Sequence, residues 1–412
     1  MTAPSPHAAP TAALRTQLPR RLRAVRSLED FEAAARRHLP APLFGYIHAA
    51  ADGPAAARRN REAFDEHEWL PSYLQDVSAR SMGVELLGRR WALPFGIAPM
   101  GLNAMSAYRG DLVLAQAAAA AGIPMVMSGS SLMRLEDIVA ANPQAWFQAY
   151  VTGDMKRTSA LLERVARAGY DTLVITIDVQ APPNIVDAYR AGFTAPLRPS
   201  LGLAWQGVSH PRWLLGTFAR TLARHGMPHF ENNDAQRGAP VLSRSVMRDF
   251  ADRGTFTPEH LRAIRREWPG QLVVKGVLTG QDARRAADCG ADAIIVSNHG
   301  GRQLAGARAT LRALPEVVAA VPQLPVMLDS GVRRGTDVMQ ALALGARMVF
   351  VGRPFIPAAA VAATPGVRHA IDLLAGEVSR TMGMLGVIHT GQLHPGLLVR
   401  RPSTPHFTTT AP

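Results

Sequence analysis

The feature that most constrains this chain is a recurrence. Short apolar runs, each bounded by Gly, Pro or Asp, alternate with Ala-rich stretches of helical period. The runs are 94–99 (PFGIAP), 124–128 (PMVMS), 145–151 (AWFQAYV), 172–178 (TLVITID), 271–277 (QLVVKGV), 293–299 (AIIVSNH), 325–331 (PVMLDSG) and 347–353 (RMVFVGR). Runs so short and so apolar are the form taken by parallel strands buried on both faces, with helices as crossovers. Helices are expected at 110–121, 158–168, 280–290 and 335–345.

Eight strand-helix units with no second core predict an α/β fold, a closed (β/α)8 barrel of the TIM type rather than an open sheet. Such barrels carry their chemistry at the C-terminal ends of the strands. Here those ends read Gly101, Ser128, Gln148 with Tyr150, Thr176 with Asp178, Lys275, His299, Asp329 and Arg353. That ring of polar residues favours the barrel.

The gap between the fourth and fifth strands, about 179–269, exceeds a single crossover and predicts an insertion over the barrel mouth. Its span 191–250 reads either as an active-site lid or as a membrane-surface segment, since 201–225 mixes Trp, Leu and Arg. No stretch is long enough to span a bilayer. The remaining boundaries are a disordered lead at 1–26, a barrel at 27–390 and an extended tail at 391–412.

Lys and Arg exceed Asp and Glu by 45 to 32, a net charge of +13. That suits an anionic partner, but no nucleic-acid motif accompanies it, so no nucleic-acid partner is expected. The single Cys289 allows no internal disulfide and no zinc site of its own, which fits a reducing, cytoplasmic setting. A basic N-terminus without a following apolar run does not read as a secretory signal.

Two constellations carry the chemistry. Ser297-Asn298-His299-Gly300-Gly301-Arg302-Gln303-Leu304 ends the sixth strand, where a His can act as a base and Arg302 can hold a carboxylate. Leu328-Asp329-Ser330-Gly331-Val332-Arg333-Arg334-Gly335 and Val351-Gly352-Arg353-Pro354 follow the seventh and eighth strands. Loops there commonly bind phosphate through amides at a helix start, with Arg333 and Arg353 adding charge. No Gly-rich turn of the dinucleotide type is present.

With these motifs the chain, from about 39 to 387, resembles the FMN-dependent 2-hydroxy acid oxidase and dehydrogenase family, and its mandelate and lactate dehydrogenase branch in particular. The resemblance implies noncovalent FMN and oxidation of an (S)-2-hydroxy acid to the 2-oxo acid. It implies His299 as base, Asp178 as its acidic partner, and Tyr46, Tyr150 and Arg302 at the substrate. Lys275 would lie beside flavin N1 and O2, with Ser128, Gln148, Thr176, Pro99, Met100 and Gly101 along the ring. Asp329 would hold the ribityl chain, and Gly331, Arg333, Gly352 and Arg353 the phosphate. A quinone, a cytochrome or O2 would accept the electrons, and a homotetramer is implied, with peripheral contact at the inner membrane face open.

Three positions depart from or vary within the family pattern. On a gap-free count Ile185 stands where a second substrate Arg is usual, and Met100 where Thr is common. Gly101, where oxidases often have Ala, leans toward a carrier rather than oxygen as acceptor. Two rival readings are an FMN barrel with non-redox isomerase activity and a catalytically altered flavoprotein acting on a modified substrate.

Overall fold

The computed structural model describes residues 18–244 and 251–401. The eight apolar runs form eight parallel strands: β1 (Phe95–Ile97), β2 (Val126–Ser128), β3 (Trp146–Ala149), β4 (Thr172–Thr176), β5 (Gln271–Val277), β6 (Ala293–Val296), β7 (Val326–Leu328) and β8 (Met348–Val351). From β2 to β8 each strand pairs with the next, and β8 pairs back with β1. The β1–β2 seam closes through a parallel bridge between Ile97 and Met125, the Ile97 amide donating to Pro124 O at 2.9 Å. The result is a closed (β/α)8 barrel.

Strand periodicity sorts the side chains. Val126, Trp146, Val174, Val273, Ile295, Met327 and Phe350 share one buried cluster, while their neighbours Phe147, Leu173, Ile175, Leu272 and Val274 belong to the cluster beneath the helices. Alternate strand residues face opposite ways, so the position two beyond an interior residue is interior again. Two residues above Val126, Trp146, Val174 and Val273 stand Ser128, Gln148, Thr176 and Lys275. The register pairs Ser128 with Gln148 and Thr176 with Lys275. A polar layer therefore caps the apolar interior at the C-terminal end. The hairpin of Val84–Leu86 and Arg89–Trp91 joins the interior cluster.

The crossover helices begin and end on local signals. Asp154 accepts from Arg157 N at the start of Met155–Ala168, and Thr279 accepts from Asp282 N at the start of Gly280–Asp288. Gly122 and Gly169 close Gly110–Ala121 and Met155–Ala168 in the left-handed region.

Two boundaries differ from expectation. Residues 18–26, placed in a disordered lead, are packed: Arg20–Leu22 is a 3-10 turn, Leu22 is 0% exposed, and Arg21 donates to Val361 O at 2.8 Å. Burial of Leu22 and Val25 beneath the C-terminal helix outweighs the Arg-rich composition that suggested disorder. The tail also turns back, with Leu398–Arg400 pairing antiparallel to His67–Trp69. Residues 1–17 and 402–412 lie outside the described residues.

The insertion runs from the end of β4 to the crossover helix Pro258–Glu267, with 245–250 outside the described residues. It carries short helices at Val186–Arg190, Leu201–Val208, Pro211–Trp213 and Arg220–His225. Trp213 ties it down by donating to Met105 O at 2.7 Å. Its outer face shows Leu201, Trp205 and Leu215, respectively 92%, 67% and 68% exposed. No helix among the described residues is long and apolar enough to cross a membrane.

Candidate active site

A cavity of about 290 Å³ opens at the C-terminal end of the barrel, walled by strand-end residues on one side and by the insertion on the other. Tyr46, Pro99, Met100, Gly101, Tyr150 and Lys275 line it, as do His299, Arg302, Asp329, Gly331, Arg333, Gly352 and Arg353. Ser128, Gln148 and Thr176 lie just beneath as its buried floor. All thirteen lining positions were expected at the site from sequence.

His299 sits at φ 58°, in the left-handed region, its amide donating to Ser297 Oγ at 3.1 Å. Such backbone is costly for a non-glycine residue and is held by the surrounding structure. Its Nδ1 lies 3.0 Å from Asp178 Oδ1, and its Nε2 lies 3.5 Å from the Tyr150 hydroxyl. Burial pushes the Asp178 carboxyl up, but His299 and then Lys275 pull more strongly and hold it below its ordinary value. Carboxylate and ring nitrogen thus form a directed pair.

Lys275 donates to Ser297 Oγ at 2.8 Å and lies 3.2 Å from Asp329 Oδ2. Burial opposes its charge, yet Asp329, Asp178 and Tyr150 more than offset this and raise its pKa. A buried ammonium therefore persists at the cavity floor.

On the other flank, four basic groups crowd together. Burial, then Arg302 and Arg333, bring Arg353 down to about 9. Burial, then Arg353 and Arg333, bring His48 down to about 3. Arg333 is lowered by burial and by Arg61. The guanidinium groups pressed together out of water call for an anion, while His48, held down near 3, is a neutral imidazole beside them.

The sequence model of the family described as FMN-dependent dehydrogenase matches residues 35–400. The chain belongs to this family. It is 35% identical to (S)-mandelate dehydrogenase of Pseudomonas putida, covering 90% of this chain and 93% of that one. It is 38% identical to L-lactate dehydrogenase of Ectopseudomonas mendocina, covering 90% and 98%. A solved structure of the monotopic membrane protein (S)-mandelate dehydrogenase superposes with a TM-score of 0.82 at 34% identity, over 92% of this chain and all of that one.

As a member of this family the protein is an FMN-dependent oxidoreductase, and its residues fit that cofactor. Gln148 Nε2 and Thr176 Oγ1 are buried in the floor with no hydrogen-bond partner, as a ring with polar edges above them requires. The arginine cluster suits the phosphate. One expectation needs correction, because the amides at the helix start after β7 are already used. Arg333 N and Arg334 N donate to Asp337 Oδ2 at 2.7 and 2.9 Å, and Gly335 N to Glu377 Oε2 at 2.7 Å. An anion there meets side-chain cations rather than these three amides.

Arg302 is also partly committed. Its NH1 donates to Tyr46 O at 2.7 Å and Ala49 O at 3.0 Å, and its guanidinium lies 4.7 Å above the Tyr46 ring. Only its remaining edge is left for a carboxylate. Ile185 lines the cavity beside Pro183, Tyr189 and Phe193, so an apolar wall stands where the family usually places a cation.

Several contacts of the site carried no signal in the sequence, even where one partner, such as Asn298 or Gly301, lies in the Ser297 to Leu304 motif. Asn60 and Asn298 exchange amide hydrogen bonds of 2.8 and 2.7 Å, fastening the helix Ala55–Glu62 under the His299 loop. Gly301, at φ 77°, passes so close that a Cβ would stand 2.5 Å from Ala57 N. Gly276, at φ 106°, sits in the bulge of β5, where a Cβ would stand 2.8 Å from Asp178 Cβ. Arg253, from the end of the insertion, lines the cavity and lies 4.4 Å above the Tyr150 ring.

Proposed function

We propose that the enzyme oxidises an (S)-2-hydroxy acid bearing an apolar substituent to the 2-oxo acid, with His299 as the base. The observation that carries this is the fixed orientation of His299: Asp178 accepts from Nδ1, which leaves Nε2 as the basic nitrogen beside Tyr150 at the cavity. The substrate loses two electrons and two protons; FMN, when bound, would accept the electron pair and one of the protons. His299 Nε2 takes one proton, and Asp178 stabilises the imidazolium that results. Lys275 would supply positive charge to the ring, where reduction adds negative charge.

Tyr46, Tyr150 and the free edge of Arg302 orient the carboxylate and hydroxyl, while Ile185, Tyr189 and Phe193 receive the substituent. Arg353 and Arg333 would hold the phosphate, with Asp329 and Ser330 toward the ribityl chain. The acceptor is a quinone or another carrier, and the protein works as a cytoplasmic homo-oligomer resting on the membrane through Leu201, Trp205 and Leu215. A non-redox isomerase leaves the His299–Asp178 pair without a use.

Anaerobic mixing of the yellow protein with a panel of 2-hydroxy acids tests the reading. Bleaching by an aryl or branched acid, with a stoichiometric 2-oxo acid, is expected. A protein that carries FMN and is bleached by none of them overturns it.

A further inference from the structure

We propose that a second cavity, beside the active site, is a binding site for one hydrocarbon chain of an anionic membrane lipid. The inference rests on the proposed membrane contact and adds to it a ligand and the place that receives it. The cavity measures about 260 Å³ and lies among Leu43, Met105, Leu203, Trp213, Phe218 and Leu242. It shares walls with the active site: the helix Ala41–His48 gives Leu43 to one cavity and Tyr46 to the other, and the stretch after it in the insertion gives Leu197 to one and Phe193 to the other.

The polar side-chain groups among its described lining residues are already spent. Ser200 Oγ accepts from Leu203 N at 3.1 Å, and Trp213 Nε1 donates to Met105 O at 2.7 Å. Water entering the cavity finds no side chain to bond. An apolar cavity of roughly 150 Å³ already stays dry and takes up a benzene ring, so this one suits a length of hydrocarbon.

The cavity opens on the face through which the protein is proposed to rest on the membrane. Ala204 and Val208 line it and are both exposed, and on the same helix, Leu201–Val208, Leu201 and Trp205 stand outward. Val208 thus belongs to the cavity wall and to the outer apolar face at once. The charge around this face has one sign. From 188 to 230 there is no Asp or Glu, whereas Arg198, Arg212, Arg220 and Arg224 are all exposed. Arg198 and Arg212 adjoin the lining residues Leu197, Pro199 and Trp213. A chain seated in the cavity therefore leaves its head group among guanidinium groups, which selects an anionic head.

The test uses the flavin-loaded protein without vesicles, and calorimetry with single-chain probes kept below their micellar range. Octanoate, decanoate and dodecanoate should bind with one chain per protein, Kd falling about fourfold for each added methylene, and acetate should not bind. Dodecylammonium should bind at least about tenfold more weakly than dodecanoate. The double variant Ala204→Phe, Gly207→Leu should weaken dodecanoate by about tenfold or more by filling the cavity. Gly207 can carry a side chain, since the nearest neighbour of its Cβ would be Leu214 Cδ1 at 3.6 Å. Neither residue lines the active-site cavity, so retained flavin and unchanged turnover of a soluble hydroxy acid show that the variant is folded.

A Kd that stays flat from octanoate to dodecanoate would overturn the proposal. So would dodecanoate binding that the double variant leaves within about twofold, because the chain would then sit elsewhere, and so would equal binding of dodecylammonium. A wild-type protein that takes up dodecanoate through this cavity yet does not sediment with anionic vesicles would instead overturn the membrane contact and leave the chain site standing.

Discussion

The floor of the barrel mouth stands on strand ends, whereas the apolar wall of Ile185, Tyr189 and Phe193 stands on the insertion after β4, and the two are tied down differently. Ser128, Gln148, Thr176 and Lys275 are 0–3% exposed and locked into strand register. Ile185, Tyr189 and Arg253 come from short turns and helices, and Tyr189 is 52% exposed. The first half departs from the family pattern at Met100, where one side chain of the ring site changes, whereas the second has an alkyl group, Ile185, where a cation is usual. Electron and proton transfer need positions held to fractions of an ångström, while recognition of a substituent tolerates a new wall. The proposed function accordingly assigns the chemistry to the barrel and the choice of substituent to the insertion.

The largest effect is expected in the strand-borne half. Lys275→Met leaves the Asp329 and Asp178 carboxylates buried without their shared cation. Breaking a buried pair in this way costs about 3–5 kcal/mol, so thermal unfolding should shift down by many degrees and flavin retention should fall. A loss under about 1 kcal/mol would mean that this half is less committed than its geometry implies.

Asp111 tests the same half through pH. It is fully buried in the first turn of the helix Gly110–Ala121 and accepts from Asn103 Nδ2 at 2.8 Å, and Asn103 also donates to Met100 O just beyond β1. Burial raises its pKa from 3.8 to about 6 against the hydrogen bonds of Asn103 and Ser131. With the folded value above the unfolded one, its contribution is complete below pH 3.8 and is lost as pH rises through 6. Above that, the ionised carboxylate costs up to ~3 kcal/mol. Denaturant unfolding from pH 4 to 8 should show stability falling in the wild type and a flatter profile for Asp111→Asn. Parallel profiles would rule Asp111 out as the source.

In the insertion-borne half, Ile185→Arg should raise kcat/KM for lactate or glycolate by roughly ten- to a hundredfold and lower it for bulkier acids. Measuring both acids in both proteins decides it. Flat small-acid activity with bound flavin would show that Ile185 does not set specificity. The smallest effect belongs to the outer face of the insertion: Trp205→Ser should weaken sedimentation with anionic vesicles by roughly tenfold and leave turnover of soluble acid unchanged. Unaltered sedimentation would remove Trp205 from any membrane contact.

The two halves were also unequally legible in the sequence. The recurring apolar runs put Ser128, Gln148, Thr176 and Lys275 at strand ends, and the Ser297 to Leu304 motif located the His299 loop, because both are local patterns. The Asn60–Asn298 pair joins residues 238 apart, and Arg253 meets Tyr150 only through the path of the insertion. No local period encodes such contacts. Residues 18–26 were misjudged for a related reason, since what orders Leu22 is a helix more than three hundred residues later.

The central claim is that His299, oriented by Asp178, takes a proton from the hydroxy acid as electrons pass to FMN. The most direct test is the rate at which an excess of the best acid bleaches the flavin in an anaerobic single turnover, in wild type and in His299→Gln. The account predicts that the variant keeps its FMN, is still bleached by dithionite, and is bleached by the acid about 10² to 10⁴ times more slowly. Bleaching by the acid at more than roughly a tenth of the wild-type rate would contradict it, because another group would then be taking the proton.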